Sequence, residues 1–214
     1  MTDEFVTFFK DINTIRLREP LAEALGALNS DGILEYSFAD AVKLAGHACP
    51  TIAGAYLVCE RALRELYPDE VPVRGEIEVK VYGEPDEGTY GVMAQVFSLL
   101  TGAAPATGFK GLAYKYKRKD LLKYAGVKID PAAACFEFRR TDTGKAVLVK
   151  LYPGLVPFPP EKAERLGQLI QQVVWDAASA GETQEFRSLW MEKVKTMLVD
   201  RKEIYSWLKT ERRN

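Results

Sequence analysis

Four stretches of the chain have the hydrophobic pattern of β-strands. Residues 74–82 (RGEIEVKVY) alternate between polar and apolar side chains, as a strand does when one face packs on a core. Residues 135–140 and 145–152 flank the turn sequence TDTG and predict a β-hairpin. Another short strand is predicted over residues 109–116, and no element is predicted over residues 118–134.

Helical spacing of apolar residues precedes these strands. Residues 19–28 predict an N-terminal helix, followed by a turn at residues 29–32, which read NSDG. Ser37 and Asp40 then have the spacing of a capping box, with Asp in place of the usual Glu. They predict a short helix that ends near Gly46.

Two longer helices are predicted in the middle of the chain. Pro50 fits the first position of a helix, where its missing N–H costs nothing. The residues after it form an apolar stripe that we expect to face the core: Ile52, Tyr56, Cys59, Leu63 and Leu66. Residues 89–100 predict a largely buried helix, which Thr101 and Gly102 end.

The C-terminal third has a different pattern. Residues 152–160 contain four prolines and predict an extended connector, because proline disrupts both helices and β-ladders. Residues 161–179 and 183–208 have helical apolar spacing, with Gly181 between them. This arrangement predicts an antiparallel hairpin of two helices.

The order of these elements predicts an α+β fold. Helix, strand, helix and three strands form the expected core, and the helical hairpin follows them. We therefore divide the chain into a core domain with its N-terminal helix, residues 1–152, and a second region, residues 153–214, with the proline-rich connector and the hairpin.

The composition is typical of a soluble globular protein, with 47% hydrophobic and 28% charged residues. No apolar run approaches the roughly 20 residues that a transmembrane helix needs, and the first residues, MTDEFVTFFK, do not resemble a secretory signal. With a net charge of −1, no overall positive field favours nucleic acid or an anionic membrane. We expect a cytoplasmic protein that binds neither.

Local basic runs do not change this expectation. Residues 115–119 read KYKRK, and two arginines lie near the C-terminus. Such runs more often cover a solvated face or tail, so binding of a polyanion by KYKRK is the less favoured interpretation.

The most unusual chemistry lies in residues 46–50, which read GHACP and contain the only histidine of the chain. Imidazole and thiolate are good ligands for zinc and the later first-row metals. Cys49 is predicted to cap the helix that starts at Pro50, and the N-terminus of a helix favours a thiolate. His47 and Cys49 would lie roughly 6 to 7 Å apart in an extended segment, so a bend is needed before both can bind one ion.

A structural interpretation of the same residues is also open. His47 would then bond a carbonyl group beside the preceding helix, and Cys49 would be a small buried residue at a tight turn. Two ligands are too few to close a metal site. The remaining cysteines, Cys59 and Cys135, show no CxxC spacing, which argues against a disulfide framework and a four-cysteine zinc site. Cys59 fits core packing, and Cys135 remains an alternative ligand.

The segment GHACPTIAGAYLVCERAL resembles the Gly-His-x-Cys-Pro stretch and following helix of the FmdE family of formylmethanofuran dehydrogenase proteins. Leu99-Leu100-Thr101-Gly102 resembles the end of that family's second helix, and Thr143-Gly144-Lys145-Ala146 resembles the turn of its last hairpin. The likeness covers about residues 38–152. It implies a core of helix, strand, helix and three strands in a mixed sheet, and a transition metal (zinc, nickel or iron) bound by His47 and Cys49.

The chain departs from this family's pattern at several polar positions. Val92, Gln95 and Ala103 stand where family members often have cysteine or aspartate, and residues 106–109 replace a Gly-Lys-Gly-Asn loop. Nor does any cysteine follow Cys135, although many members end in a cysteine-rich zinc finger. These changes favour a larger, more apolar ligand such as haem.

Three functional hypotheses follow. The leading one is a metal-binding or metallocofactor-binding accessory protein, in which His47 and Cys49 are ligands and Gln95 and Thr101 line the pocket. An enzyme that uses Cys49 as an activated nucleophile is the second. The third is a structural protein whose C-terminal hairpin, through Trp190 and Leu198, builds a homodimer.

Overall fold

A computed structural model describes residues 6–28 and 31–213. Its main sheet has five strands: β3 (Ile77–Val81), β4 (Leu122–Tyr124), β5 (Ala134–Arg140), β6 (Ala146–Leu151) and β7 (Leu208–Arg213). The strand order is β4-β3-β5-β6-β7, and only β3 and β4 pair in parallel. The sheet is therefore mixed.

A second, two-stranded antiparallel sheet precedes this one along the chain, formed by β1 (Ile15–Arg18) and β2 (Ile33–Tyr36). The helices are α1 (Pro20–Ala24), α2 (Phe38–Ala45), α3 (Pro50–Leu66), α4 (Tyr90–Thr101), α5 (Pro160–Val174), α6 (Ala180–Lys195) and α7 (Ile204–Trp207). This mixture of segregated helices and strands confirms the α+β class.

Helix α3 is the central element of the core. It packs against α2, α4 and the face of the main sheet, and it is buried on nearly every side. A Cβ atom at Gly54 would lie 2.7 Å from Cδ2 of Leu151, so the absence of a side chain lets α3 approach β6 closely. On the neighbouring helix α4, the ring of Phe97 makes edge contacts with Phe136 and Phe138, at centroid distances of 4.9 and 5.3 Å.

The helix ends on either side of residues 46–50 follow the sequence prediction. The Asp40 carboxylate accepts the N–H (2.7 Å) and the hydroxyl (2.8 Å) of Ser37, as in the reverse half of a capping box, and Gly46 ends α2 in the left-handed conformation, with φ +76°. Pro50 occupies the first turn of α3. These helix ends could be predicted from the sequence because each depends only on residues within one turn of it.

Two strand predictions need correction. The strand predicted over residues 109–116 is wrong: the segment forms turns, in which Leu112 and Lys115 make an isolated bridge and Ala113 and Tyr114 have positive φ. Instead, β4 lies inside residues 118–134, where no element was predicted. The β1–β2 pair was also missed, because each strand has only four residues.

Near both ends of the chain, the helices of the structure have other boundaries than the sequence predicted. The predicted N-terminal helix is reduced to the five residues of α1, and residues 29 and 30 of the predicted NSDG turn lie outside the described residues. The helix predicted over residues 183–208 starts earlier, at Ala180, changes its hydrogen-bond pattern after Lys195 and is interrupted at residues 201–203. A π-helical turn (Thr196–Asp200) follows Lys195, and Arg201 and Glu203 adopt left-handed conformations before α7.

The C-terminal region is joined to the core sheet. Helices α5 and α6 pack against each other through Lys162–Glu192 and Arg165–Glu185 ion pairs, as a helical hairpin does. The chain then returns through β7, which pairs with β6 over six residues. Within the described ranges, no helix is long and apolar enough to cross a membrane.

A buried ion-pair network connects distant parts of this fold. The carboxylate of Glu19 is 4% exposed and binds two guanidinium groups, those of Arg74 (2.7 Å) and Arg118. It also accepts the N–H of Leu21 in the first turn of α1. Arg74 in turn donates to the carbonyl groups of Leu100 (3.2 Å) and two preceding residues at the C-terminal end of α4.

We predict that Glu19→Gln destabilises the protein by about 3–5 kcal/mol, because it removes the anion from the buried Arg118 and the partly buried Arg74. Glu35→Gln is the matched control: it removes an exposed ion pair with Arg16 in the neighbouring small sheet and should cost less than about 1 kcal/mol. Urea denaturation of both variants measures the difference. Equal losses would contradict the importance of the Glu19 network.

Candidate functional site

His47 lies directly after the glycine that ends α2, and its side chain is exposed. Its Nδ1 atom is 3.0 Å from the carbonyl oxygen of Ala45. Because a carbonyl oxygen can only accept, this contact assigns the proton of the neutral ring to Nδ1. The lone pair is then on Nε2, the arrangement in which a neighbouring carbonyl orients a metal-binding imidazole.

Cys49 caps α3, as the sequence predicted. Its backbone is extended, and its Sγ atom accepts the N–H of Ile52 at 3.5 Å. The side chain is 7% exposed and contacts the main hydrophobic core. The sulfur atom thus serves as acceptor for one of the N–H groups that have no partner within the first turn of α3.

The C-terminal hairpin contacts this motif directly. Trp190 of α6 donates its indole N–H to the carbonyl oxygen of Ala48, at 2.9 Å. Ala48 is the residue between His47 and Cys49, so the hairpin holds the turn in position. The sequence suggested a subunit contact for Trp190, and a partner residue 142 positions away cannot be inferred from spacing.

Gln95 lies on the exposed side of α4, in an open groove of about 630 Å³. The groove is mostly apolar, and its walls include Leu44, Ala94, Leu99, Leu122 and Tyr124. Leu44 belongs to the last turn of α2, three residues before His47. Leu44 is thus the lining residue nearest to His47 in sequence, and neither His47 nor Cys49 lines the groove itself.

Thr101 is not part of this groove. Its side chain is fully buried, and its hydroxyl group donates to the carbonyl of Phe97 at 2.7 Å and accepts the N–H of Ala103 at 3.1 Å. Both bonds are to the backbone at the end of α4. Thr101 therefore stabilises a helix terminus, and Gln95 is the member of the pair that reaches the groove.

The other two cysteines are buried away from the motif. Cys59 is fully buried in α3, and this burial strongly raises the pKa of its thiol. Cys135 packs with Ala133 and Leu148 in a separate small cluster, and burial raises its thiol pKa to about 11. Among residues 6–28 and 31–213, no group of three or more His, Cys, Asp or Glu side chains is placed to hold a metal ion.

Neither models of known protein families nor curated protein sequences match this chain. The resemblance to the FmdE family thus stays a prediction, based on the motif around His47 and Cys49.

We predict that Cys49 is alkylated before Cys135 and Cys59. Cys49 has the most exposed of the three side chains, and its sulfur lies at a helix N-terminus, whereas burial disfavours the thiolate of the other two. Treatment of the folded protein with iodoacetamide at pH 8, followed by peptide mass spectrometry, gives the order in which the three cysteines are alkylated. Labelling of Cys59 at a comparable rate would contradict it.

We also predict that Trp190→Phe lowers the free energy of unfolding by about 1–2 kcal/mol, because it leaves the carbonyl of Ala48 without its donor. Phenylalanine keeps the aromatic contact with Phe186. Trp175→Phe is the control, since Trp175 is 79% exposed and should change stability by less than about 0.5 kcal/mol. Thermal unfolding of the two variants compares them, and equal stability would argue against the contact.

Proposed function

We propose that this protein binds a metallocofactor, a metal complex that carries most of its own ligands, at the turn formed by His47 and Cys49. The observation that carries this proposal is the orientation of His47. Its Nδ1 atom is engaged by the carbonyl of Ala45, which leaves Nε2 free on an exposed ring. The second support is the apolar groove lined by Leu44, which belongs to the same last turn of α2 that His47 follows.

A bare zinc, nickel or iron ion fits this donor set poorly. Structural zinc sites use four protein ligands and catalytic sites use three, whereas the described residues offer no group of three. A macrocyclic cofactor such as haem supplies the in-plane ligands itself and needs only one or two side chains, with histidine and cysteine among the usual ones. The chain's own donors therefore favour the complexed metal over the free ion.

Each residue of the site has a separate role in this proposal. His47 is the ligand that solvent and cofactor can reach, and Cys49 is a second donor behind it. The groove walls, including Leu44 and Leu99, exclude water from the face of the cofactor. Gln95 offers an amide group at the exposed side of α4, where a polar substituent of the cofactor would accept or donate a hydrogen bond.

The other hypotheses remain proposals beside this one. A thiol-dependent enzyme would need a substrate to reach Cys49, whose side chain is 7% exposed. The same low exposure is the reason why we assign the first contact with a cofactor to His47 and not to Cys49. A homodimer would need contacts other than Trp190 and Leu198, because Trp190 bonds Ala48 and Leu198 is 1% exposed in the chain's own core.

We also propose a cytoplasmic location and no binding to nucleic acid or membranes.

Titration of the purified protein with haemin tests the proposal. We expect a shifted Soret band and saturable binding, with binding weakened at least about tenfold in His47→Ala because the accessible ligand is lost. Cys49→Ala and Cys135→Ala form a matched pair: each removes one buried thiol, and only the first should alter the spectrum. Elemental analysis for zinc, nickel and iron identifies any metal retained during purification.

Two results would contradict the proposal. One is a protein that takes up neither haemin nor a metal ion. The other is uptake that His47→Ala and Cys49→Ala leave unchanged, which would place the ligand elsewhere.

A further inference from the structure

The loop formed by residues 109–119 exposes three large apolar side chains. Those of Phe109 and Leu112 are largely in solvent, and that of Tyr114 is fully exposed. Single apolar residues on a protein surface need no explanation, but several on one short loop indicate a contact surface. None of these residues lines the groove that contains Gln95.

Hydrogen bonds give this loop a defined shape. The carbonyl group of Phe109 accepts the N–H groups of the last two residues of the loop, at 2.9 and 3.0 Å, which closes its base. At the tip, Leu112 and Lys115 exchange both backbone hydrogen bonds, so Ala113 and Tyr114 form a two-residue turn. The apolar side chains are therefore presented to solvent on a fixed backbone.

The turn at the tip has a strained backbone. Ala113 and Tyr114 both have positive φ, +44° and +69°, a conformation that glycine, asparagine and aspartate adopt most readily. Strain of this kind is concentrated at functional sites. Burial of the Tyr114 ring does not offset the strain, because the ring is fully exposed, whereas contact with a partner would.

Two of the five cations in this loop are engaged within the chain. Lys117 pairs with Asp120 at 3.3 Å, and Arg118 binds the buried carboxylate of Glu19. The run KYKRK therefore does not present the continuous row of free charges that a nucleic acid or an anionic membrane would favour.

The other three cations of the loop are lysines without an ion-pair partner among the described residues: Lys110, Lys115 and Lys119. No acidic residue occurs from position 88 to position 119, and Glu76 is the one carboxylate-bearing residue in the cleft that Lys115 lines. Even with Glu76 counted against Lys115, excess positive charge remains beside the apolar tip.

We propose that the 109–119 loop docks onto an acidic segment of a partner protein. Protein–protein interfaces usually have an apolar, aromatic-rich centre and a polar rim. Phe109, Leu112 and Tyr114 supply such a centre, and the unpaired lysines supply a rim that carboxylates would complement. Three free lysines are fewer than the about four to eight of a lipid-binding cluster, and the aliphatic Leu112 offers no ring on which a nucleobase could stack.

A random peptide library displayed on phage and selected on the full chain supplies the probes. We expect the selected peptides to be rich in Asp and Glu and to contain an aromatic or aliphatic residue. Added sodium chloride should weaken their binding, measured by fluorescence polarisation, because the rim contacts are electrostatic. A library that yields no binder, or only basic or uncharged peptides, would contradict the proposal. This result is independent of the function of the His47 turn.

Variants test whether the loop is the binding surface. Tyr114→Asn removes the ring while asparagine tolerates the positive φ, and it should weaken binding of a selected peptide by about tenfold. Lys110→Ala combined with Lys115→Ala should weaken it by about fivefold and reduce its dependence on salt. Lys195→Ala combined with Lys202→Ala is the matched control at two exposed positions, and it should leave the affinity unchanged.

Two other results would overturn the assignment. Peptide affinity that neither loop variant changes would place the binding surface elsewhere. Without any peptide binding, attachment to vesicles that contain phosphatidylserine, or to a single-stranded RNA oligonucleotide, that the double lysine variant abolishes would assign the loop to a membrane or to a nucleic acid instead.

Discussion

The Glu19 carboxylate is the constraint on which the N-terminal half of the structure depends. Burying an anion is costly unless opposite charges accompany it, and here the partners come from far along the chain, at Arg74 and Arg118. The same carboxylate starts α1, and Arg74 completes the end of α4. A single group thus connects the end of β1 with the segment before β3 and with the segment before β4, through Arg74 and Arg118 respectively.

The candidate metallocofactor site does not depend on a buried ion pair. It lies in the short turn between two helix ends. Gly46 ends α2 and Cys49 begins α3, so the residues between them have little conformational freedom. Two backbone carbonyl groups beside this turn have side-chain partners: that of Ala45 orients His47, and that of Ala48 accepts the indole N–H of Trp190. Among the described residues, the bond that orients the imidazole is therefore to the backbone and not to an acidic side chain.

The parts of the fold that the sequence predicted are those governed by local chemistry. The capping box of Ser37, the Gly46 end of α2 and the β5–β6 hairpin depend on residues within a few positions of one another. By contrast, β4 and β7 are strands because they pair with β3 and β6, which lie far away in sequence. Their own residues, LKY and LKTERR, do not have a pattern that predicts a strand. For the candidate site, the motif directed attention to His47 and Cys49, and their role as ligands stays a prediction, as does the role of Gln95 in lining the pocket. Thr101 could not be distinguished as a core residue, because a threonine that bonds its own helix and one that meets a ligand look alike in sequence.

The two edges of the main sheet have a consequence for self-association. One edge is β4, only three residues long, and the other is β7, whose residues Lys209, Glu211, Arg212 and Arg213 are charged. Short or charged edge strands disfavour pairing with the sheet of another molecule, the usual first step of edge-to-edge aggregation. Copies of this chain that do associate would therefore meet through helices or loops rather than by extending the sheet.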